Sequence, residues 1–213
     1  MKKILPVILM LLSLSADAQL PLPAIQKIRS EMKLSENNIY ILCRGTKSKS
    51  GVIAGKFNSV DKNITHLGLA FLEKNKITIY HVVDGKNFSN ALQVESLEDF
   101  ITPDTYYISA WEYKATPTQL HQFKMLLKAS SQKKICFDVR FNLRNDDTLY
   151  CSEYAANLLN AVLPEEENFS PVLLQLKDDL FIYFLKRKQL LFYPVDFFQV
   201  NRNFRKIFEK KIR

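Results

Sequence analysis

Two strand-like runs separated by a short polar turn are the feature that most restricts the fold of this chain. The runs cover residues 65–72 and 76–83, and both are rich in apolar side chains. Glu73-Lys74-Asn75 separates them, which predicts a hairpin. With a two-residue turn at Lys74-Asn75, even-numbered residues of the first strand share a sheet face with odd-numbered residues of the second.

This register predicts two histidines on one face of the hairpin. His66 lies in the first strand with Gly68 and Ala70 on its side, and His81 lies about one diagonal step away in the second. The small residues beside His66 leave room for a group to approach it. A one-residue change in the turn would point the two histidines apart. Taken alone, His66 is more often interpreted as a core histidine with both nitrogens satisfied.

Cys151 is the first residue of a predicted helix. Apolar residues recur at helical spacing from Cys151 to Val162, after a polar turn at residues 144–147. A thiol in the first helical turn lies beside unpaired backbone N–H groups and the positive end of the helix dipole, which favour the thiolate and can stabilise an oxyanion. We therefore predict a pKa for Cys151 below about 8.5, the ordinary value of a free thiol.

The cysteine count leaves at least one thiol unpaired within the chain. Cys43, Cys136 and Cys151 cannot all pair with one another. For Cys43 and Cys136 two interpretations stay open, namely small buried side chains or a bridge between them. A closed zinc site would need a fourth ligand beside the two histidines and Cys151, and no close-spaced pair supplies one. We therefore predict no metal and no cofactor.

The N-terminal segment has the pattern of a cleavable signal peptide. Lys2 and Lys3 precede an apolar run at residues 4–14, and a small-x-small sequence ends at Ala18. The apolar run is shorter than the roughly 20 residues of a membrane-spanning helix. We expect residues 1–18 to be removed, leaving an exported, periplasmic or secreted chain in which residues 19–213 form one domain.

The basic charge does not by itself indicate a nucleic-acid partner. The chain has a formal net charge of +8. Its lysines and arginines are scattered and are densest near the C-terminus, without interleaved aromatic residues on a glycine-rich platform. An exported basic protein more plausibly meets an anionic envelope surface. We predict no nucleic-acid partner.

The remaining patterns predict an α+β chain. Predicted helices cover residues 21–32, 117–130 and 172–185, predicted strands cover residues 38–43, 105–113 and 136–141, residues 44–63 are expected to be a polar, flexible stretch, and residues 192–198 an edge segment against the sheet.

The histidine and cysteine motifs together resemble a known family. The matching sequences are Thr65-His66-Leu67-Gly68-Leu69, Ile79-Tyr80-His81 and Tyr150-Cys151-Ser152-Glu153, with the approach from Phe137-Asp138 to Asp147 and an early strand at residues 39–45. They are similar to the permuted NlpC-type cysteine hydrolases called YiiX/YebB-like. In that family the histidine strand precedes the cysteine helix, which is the reverse of papain.

The resemblance implies both a fold and a set of roles. The fold would be α+β and circularly permuted papain-like, with a small antiparallel sheet or half-barrel packed on the cysteine-bearing helix. Cys151 would be the nucleophile, His66 its base and His81 the third polar residue. Many relatives carry a carboxylate where His81 stands, and a neutral imidazole stabilises a neighbouring imidazolium less than a carboxylate does. The related lecithin retinol acyltransferase-like enzymes use two histidines and a cysteine.

The expected function is that of an exported cysteine hydrolase acting as an amidase or peptidase. Its substrate would be a small peptide or acyl-amide, with cell-envelope peptides as one candidate. Two alternatives stay open: an acyltransferase or lipid (thio)esterase of the lecithin retinol acyltransferase-like type, and a ligand-binding module without catalysis. The sequence does not determine the oligomeric state.

Overall fold

The computed structural model describes residues 19–85, 89–143 and 147–212. The predicted signal peptide, residues 1–18, lies outside the described residues, and so do residues 144–146 of the polar turn before Cys151. Among the described helices, none has the length and apolar character needed to cross a membrane.

Helices and strands are interleaved along the chain. The helices are α1 Leu22–Met32, α2 Lys49–Phe57, α3 Leu97–Phe100, α4 Pro117–Ser131, α5 Cys151–Asn160 and α6 Asp179–Leu185. The strands are β1 Asn38–Thr46, β2 His66–Glu73, β3 Lys76–Val82, β4 Leu92–Glu95, β5 Thr105–Lys114, β6 Cys136–Phe137, β7 Thr148–Leu149, β8 Val172–Gln175, β9 Gln189–Phe192 and β10 Phe204–Lys211. Two 3-10 turns cover Glu165–Glu167 and Phe197–Val200.

Six strands form an antiparallel sheet in the order β10-β5-β1-β2-β3-β4. Two smaller sheets stand apart from it: β6 pairs in parallel with β7, and β8 pairs in antiparallel with β9. The helix α6 connects β8 to β9. The prediction of an α+β chain with a largely antiparallel sheet is therefore confirmed.

The β2–β3 hairpin has the register that the sequence predicts. Glu73 pairs with Lys76, and Leu69 pairs with Tyr80. The two turn residues, Lys74 and Asn75, have φ values of 48° and 60°. Positive φ values at both central residues are typical of a tight hairpin turn whose twist matches that of the strands.

Apolar clusters cover both faces of the sheet. Along β1, Ile41 and Cys43 belong to one cluster and Tyr40 and Leu42 to the other, as strand alternation requires. The cysteine-bearing helix α5 packs against β2 and β3 on the first face. Helices α1 and α3 supply the second cluster. The sheet packs on α5, as expected, but alternation along β2 and β3 places both histidines on the other face.

The predicted polar, flexible stretch at residues 44–63 is wrong in part, because it contains the end of β1 and the helix α2. Ser48 starts this helix: its hydroxyl accepts a hydrogen bond from the N–H of Gly51 at 3.1 Å. A serine cap satisfies one of the free N–H groups of a first helical turn. The sequence carries this signal, but the polar composition obscured it.

The predicted helix at residues 172–185 is also wrong in its first half. Residues 172–175 form β8, and only Asp179–Leu185 are helical. Asp178 separates the two, since its carboxylate accepts from the N–H of Leu180 at 2.9 Å and caps α6. The strand predicted at residues 136–141 stops at Phe137, where Asp138 accepts from the N–H of Arg140 at 2.8 Å.

The predicted edge segment at residues 192–198 is wrong, because the edges of the main sheet are β10 and β4. Phe192 ends β9, which pairs with β8, and Phe197–Val200 form a 3-10 turn. The strand β10 is rich in lysine and arginine on its exposed side. Charged side chains are common on edge strands because they discourage further strand pairing. The same charges give β10 the sequence pattern of a solvated tail.

Candidate active site

His66, His81 and Glu95 form a hydrogen-bonded row across three neighbouring strands. Nε2 of His66 lies 2.7 Å from Nδ1 of His81, and Nε2 of His81 lies 2.8 Å from Oε2 of Glu95. The predicted hairpin register brings the two histidines together, and β4 adds the carboxylate from its last residue. His81 is 1% exposed, whereas the side chain of Glu95 is 24% exposed, so the central imidazole is buried and both of its nitrogens have hydrogen-bond partners.

The row fixes which nitrogen carries each proton. A carboxylate only accepts hydrogen bonds, so His81 donates from Nε2 to Glu95. Burial lowers the pKa of His81 despite the opposing effect of Glu95, so the ring is neutral and its Nδ1 accepts. His66 must then donate from Nε2 and keep a lone pair on Nδ1. No hydrogen bond of the described chain uses this Nδ1.

His66 is held in the neutral state that a general base needs. Burial lowers its pKa well below the ordinary value, and the positive charge of Arg44 and the electrostatic effect of His81 lower it further. Arg44 pairs with His66 across β1 and β2, and its guanidinium stacks 4.8 Å from the ring centroid of Phe100. An imidazole that stays unprotonated at neutral pH can accept a proton from a reacting group.

Phe100 and Gly68 set the positions of both imidazoles. The ring centroid of Phe100 lies 5.9 Å from that of His66 and 5.2 Å from that of His81. A Cβ atom on Gly68 would come within 2.6 Å of Cγ2 of Ile79 and 3.2 Å of Cβ of His81. The space over Gly68 is thus filled by these neighbours, whereas His66 itself borders a cavity.

Cys151 begins α5, as predicted, and is 8% exposed. The backbone N–H groups of Leu67 and Ser152 contact the thiol and lower its pKa, but burial outweighs them and raises the pKa to about 11. The predicted lowering of this pKa is therefore wrong. The helix N-terminus acts as expected, but the free-energy cost of removing a thiolate from water is larger than the stabilisation that those N–H groups provide.

Cys151 and His66 border the same cavity without a mutual hydrogen bond in the described structure. The side chain of His66 lies on the face of the sheet that holds Phe100, whereas α5 packs on the face of Leu67 and Leu69. The thiol reaches the end of β2 from the opposite side, where it meets the N–H of Leu67. The thiol of Cys151 thus contacts the backbone of the residue that follows His66 in β2, from the opposite face of the sheet.

The other two cysteines take no part in this site. Cys43 is fully buried and Cys136 is exposed, and all three cysteines are free. The bridge between Cys43 and Cys136 that the sequence left open is not formed in this structure. Burial raises the pKa of Cys43 well above its ordinary value, so that thiol behaves as a small apolar core group.

The cavity beside Cys151 has a volume of about 440 Å³, within the size range of small-molecule sites, which is roughly 300–1,000 Å³. Its polar lining residues include Arg44, His66, Asp84 and Asp104. The remaining wall is mainly aromatic and aliphatic and includes Phe57, Phe141, Phe181, Phe184, Leu185 and Phe192. Cys151 and His66 thus border a cavity whose lining is largely apolar.

Sequence reasoning missed Glu95 and Arg44. Glu95 ends a four-residue strand whose alternation is too short to stand out, and the following Ser96 caps α3 by accepting from the N–H of Asp99 at 3.3 Å. Only the pairing of β4 with β3 brings Glu95 to His81. For Arg44 a signal existed in the early strand, which ends in Arg-Gly. If that strand pairs in antiparallel with the histidine strand, its last residues lie beside His66.

No protein-family model and no curated protein matches this chain. Among solved structures, the crystal structure of the metalloprotein YiiX from Escherichia coli O157:H7 is similar, with a TM-score of 0.60 and 13% sequence identity. The match covers 81% of this chain and 96% of that chain. At this identity the likeness concerns the fold alone: the chain is an α+β protein with a YiiX-like fold.

Proposed function

We propose that this chain is a cysteine hydrolase of the permuted papain-like type, with Cys151 as nucleophile and His66 as its base. One observation carries the proposal: the row from Glu95 through His81 leaves a free lone pair on Nδ1 of His66, beside the cavity that Cys151 borders. An activated nucleophile needs a base that is itself oriented by a further group.

The proposed reaction moves one proton back and forth. As Sγ of Cys151 bonds to an acyl carbon, Nδ1 of His66 takes the thiol proton, and the carbonyl electrons move to oxygen. Backbone N–H groups at the start of α5 stabilise that oxyanion. The bond to the leaving nitrogen or oxygen then breaks and the leaving atom takes the proton from His66. Water, deprotonated by His66, cleaves the thioester, releases the carboxylic acid and restores the thiol.

The resting pair is thiol and imidazole rather than thiolate and imidazolium. The raised pKa of Cys151 and the lowered pKa of His66 both favour the neutral forms. Proton transfer therefore accompanies attack, for which the two groups must approach each other. Once His66 is protonated, it donates to His81, which donates to Glu95, so the carboxylate stabilises the new charge through two hydrogen bonds.

This row compensates for the departure from relatives that carry a carboxylate in place of His81. In this chain the carboxylate is Glu95, one strand further out, and His81 connects it to His66. We propose that the third member of the site is the pair of His81 and Glu95 rather than His81 alone.

The donor atoms do not fit a resident metal, although YiiX is described as a metalloprotein. Of the four imidazole nitrogens, two share a hydrogen bond with each other and a third is hydrogen-bonded to Glu95. The atoms that remain available as metal ligands are Nδ1 of His66 and Sγ of Cys151. Protein zinc sites use at least three protein ligands. Among the described residues, no group of three or more suitable side chains is arranged to hold a metal ion. The proposed reaction uses none.

Trapping the acyl-enzyme with a generic activated ester tests the proposal before the natural substrate is identified. After mixing with p-nitrophenyl butyrate, intact-mass spectrometry should detect one butyryl adduct, and peptide mapping should locate it on Cys151. Cys136→Ser should retain the adduct and Cys151→Ser should lose it. An adduct confined to another residue, or none at all under conditions where the chain is folded, would contradict the proposal and favour a non-catalytic binding module.

Two further parts of the proposal concern the acceptor and the location. An alcohol or amine in place of water would make the same site an acyltransferase, and product analysis with added glycerol distinguishes the two. Export rests on the pattern of residues 1–18, and cleavage after Ala18 can be read from the N-terminus of the protein recovered from culture.

A further inference from the structure

The helix α6 exposes an apolar face beside the cavity. Phe181 and Leu185, one turn apart, line the cavity. Leu180 and Tyr183 are 70% and 82% exposed, and Phe184, which also lines the cavity, is 58% exposed. Because residues three and four apart share a helix face, Leu180, Tyr183 and Phe184 form one apolar stripe. The cavity wall therefore continues onto the molecular surface through Phe184.

The same helix frames the cavity mouth together with the segment at residues 139–141. Arg187, just after α6, donates to the carbonyl oxygens of Arg140 and Phe141, the latter at 3.2 Å. Val139 in that segment is exposed and lines the cavity. Exposed apolar side chains thus stand on both sides of the opening.

The β8–β9 pair adds apolar surface to the same unit of the chain. Leu173 pairs with Leu191, and both side chains are exposed. Cross-strand partners lie on the same side of a two-stranded sheet. An apolar surface made of several large side chains is unusual on a free monomer and indicates a binding surface.

Basic side chains accompany this apolar surface. Residues 177–191 contain four basic and two acidic residues, the acidic ones being Asp178 and Asp179 at the start of α6. The ammonium group of Lys56 lies 5.9 Å from the ring centroid of Phe181. The chain as a whole has a formal net charge of +8. Aromatic and aliphatic side chains with lysine and arginine at their border are the composition of protein surfaces that bind anionic lipid interfaces.

We propose that α6 and the β8–β9 pair dock on an anionic lipid surface, and that the substrate is an acyl lipid drawn from that surface. The acyl chain would lie along the apolar wall, entering past Phe184, with its ester or amide carbonyl at Cys151. This inference rests on the proposed cysteine hydrolase chemistry for the reaction, although not for the docking. The bond broken is the acyl C–O or C–N bond, and the products are a free fatty acid and the remaining alcohol or amine.

Vesicle binding tests the docking independently of catalysis. Purified mature chain carrying Cys151→Ser is sedimented with vesicles of phosphatidylcholine alone and with vesicles of phosphatidylcholine and phosphatidylglycerol in equal amounts. Binding is expected to the anionic vesicles and to weaken as salt rises. The double substitution Leu180→Ser with Tyr183→Ser should weaken binding roughly tenfold or more, because two exposed apolar groups no longer enter the interface.

A matched control removes two exposed apolar side chains elsewhere, Met125 at 56% and Val200 at 71% exposed. Met125→Ser with Val200→Ser changes α4 and the last 3-10 turn, outside the docking unit, and is expected to bind as the parent does. The reaction is then followed with the active chain on vesicles containing a fluorescent acyl lipid and on dissolved p-nitrophenyl butyrate. The ratio of the vesicle rate to the dissolved-substrate rate should fall about tenfold or more in the α6 variant.

The outcomes separate the two proposals. Vesicle binding that depends on α6, without any acyl-enzyme, would retain the docking and overturn the hydrolase. Turnover of dissolved ester with no vesicle binding, or with equal binding by the α6 and control variants, would overturn the docking. A chain that forms dimers in light scattering through Leu180 and Tyr183, and ignores vesicles, would show that this surface binds protein instead.

Discussion

Oε2 of Glu95 lies 2.8 Å from Nε2 of His81, and this contact decides the chemistry available at His66. Because the carboxylate can only accept, it orients His81 so that Nδ1 faces His66 at 2.7 Å as an acceptor. His66 consequently presents its free lone pair at Nδ1. Glu95 thereby sets the tautomer of His66, the proposed base, through His81.

The first prediction concerns the reacting pair. Cys151→Ser and His66→Ala should each lower kcat by roughly a thousandfold or more, because each removes a separate partner of one chemical step. Circular dichroism and thermal unfolding should show a folded chain in both cases. Cys136→Ser, which changes an exposed free thiol, is the matched control. Wild-type kcat in either site variant would exclude that residue from the reaction.

The second prediction concerns the residues that orient His66. Glu95→Gln should lower kcat about 10- to 100-fold with little change in KM, since the amide no longer fixes the tautomer of His81. His81→Ala should be more severe, whereas His81→Gln or His81→Glu should retain more activity because either can still bond to His66. Glu98→Gln, on α3, is the control. If the three His81 variants all match the parent, then His81 is structural and the site is a dyad.

The third prediction is the reactivity of the thiol. With a pKa of about 11, the resting thiolate fraction at Cys151 should rise about tenfold per pH unit from neutral pH to pH 10. Iodoacetamide labelling of the folded chain, located by peptide mass mapping, should follow that slope, because the thiolate is the form that reacts. A labelling rate at Cys151 that is already maximal at mildly acidic pH would contradict the burial argument.

The fourth prediction is a loss of stability in acid that depends on the histidines. Burial lowers the folded-state pKa of both His66 and His81, whereas unfolded histidines bind protons near pH 6.5. Below about pH 6.5 the unfolded state therefore holds more protons. The free energy of unfolding should fall by up to about 1.4 kcal/mol per pH unit for each histidine, until the folded-state pKa is reached.

Urea unfolding measured across that range tests the sign and the source of this effect. His66→Gln should reduce the acid slope relative to the parent, and His121→Gln, which changes an exposed histidine on α4, is the control. An acid slope that is identical in the parent and in His66→Gln would show that His66 is not buried in the neutral form.

The fifth prediction concerns Gly68. Gly68→Ala would place a Cβ within 2.6 Å of Cγ2 of Ile79 and 3.2 Å of Cβ of His81, so the side chain of Ile79 or the strand β3 must shift. We expect a loss of about 1–3 kcal/mol in the free energy of unfolding and a fall in kcat from the displaced imidazole. Ala70→Gly, on the same face of β2, should cost stability without the loss in kcat. Unchanged kcat in Gly68→Ala would show that His81 tolerates displacement.

Local sequence patterns determined the hairpin, the cysteine helix and the pairing of the two histidines. The turn residues Lys74 and Asn75 fix the register, and the period of two along a strand then fixes which side chains share a face. These are properties of neighbouring residues, so they do not depend on the rest of the chain. The helix starting at Cys151 followed in the same way from the spacing of apolar residues.

The outer members of the site depended on contacts between distant segments. Glu95 reaches His81 because β4 pairs with β3, and Arg44 reaches His66 because β1 pairs with β2. A four-residue strand such as β4 has too few alternating residues to be distinguished from a loop by sequence. It is stabilised as a strand by pairing with its neighbour. Likewise, the lysine-rich β10 forms a strand because it pairs in antiparallel with β5.

Burial was the quantity that the sequence could not supply. The position of Cys151 at a helix N-terminus correctly predicted N–H groups that favour the thiolate, but the pKa depends on the sum of those contacts and the loss of water. How much water a side chain loses is decided by every segment that packs around it. The sequence by itself therefore determined which groups meet along the hairpin and where the helix begins, while the tertiary structure decided their protonation, their outer partners and the apolar surface at the cavity mouth.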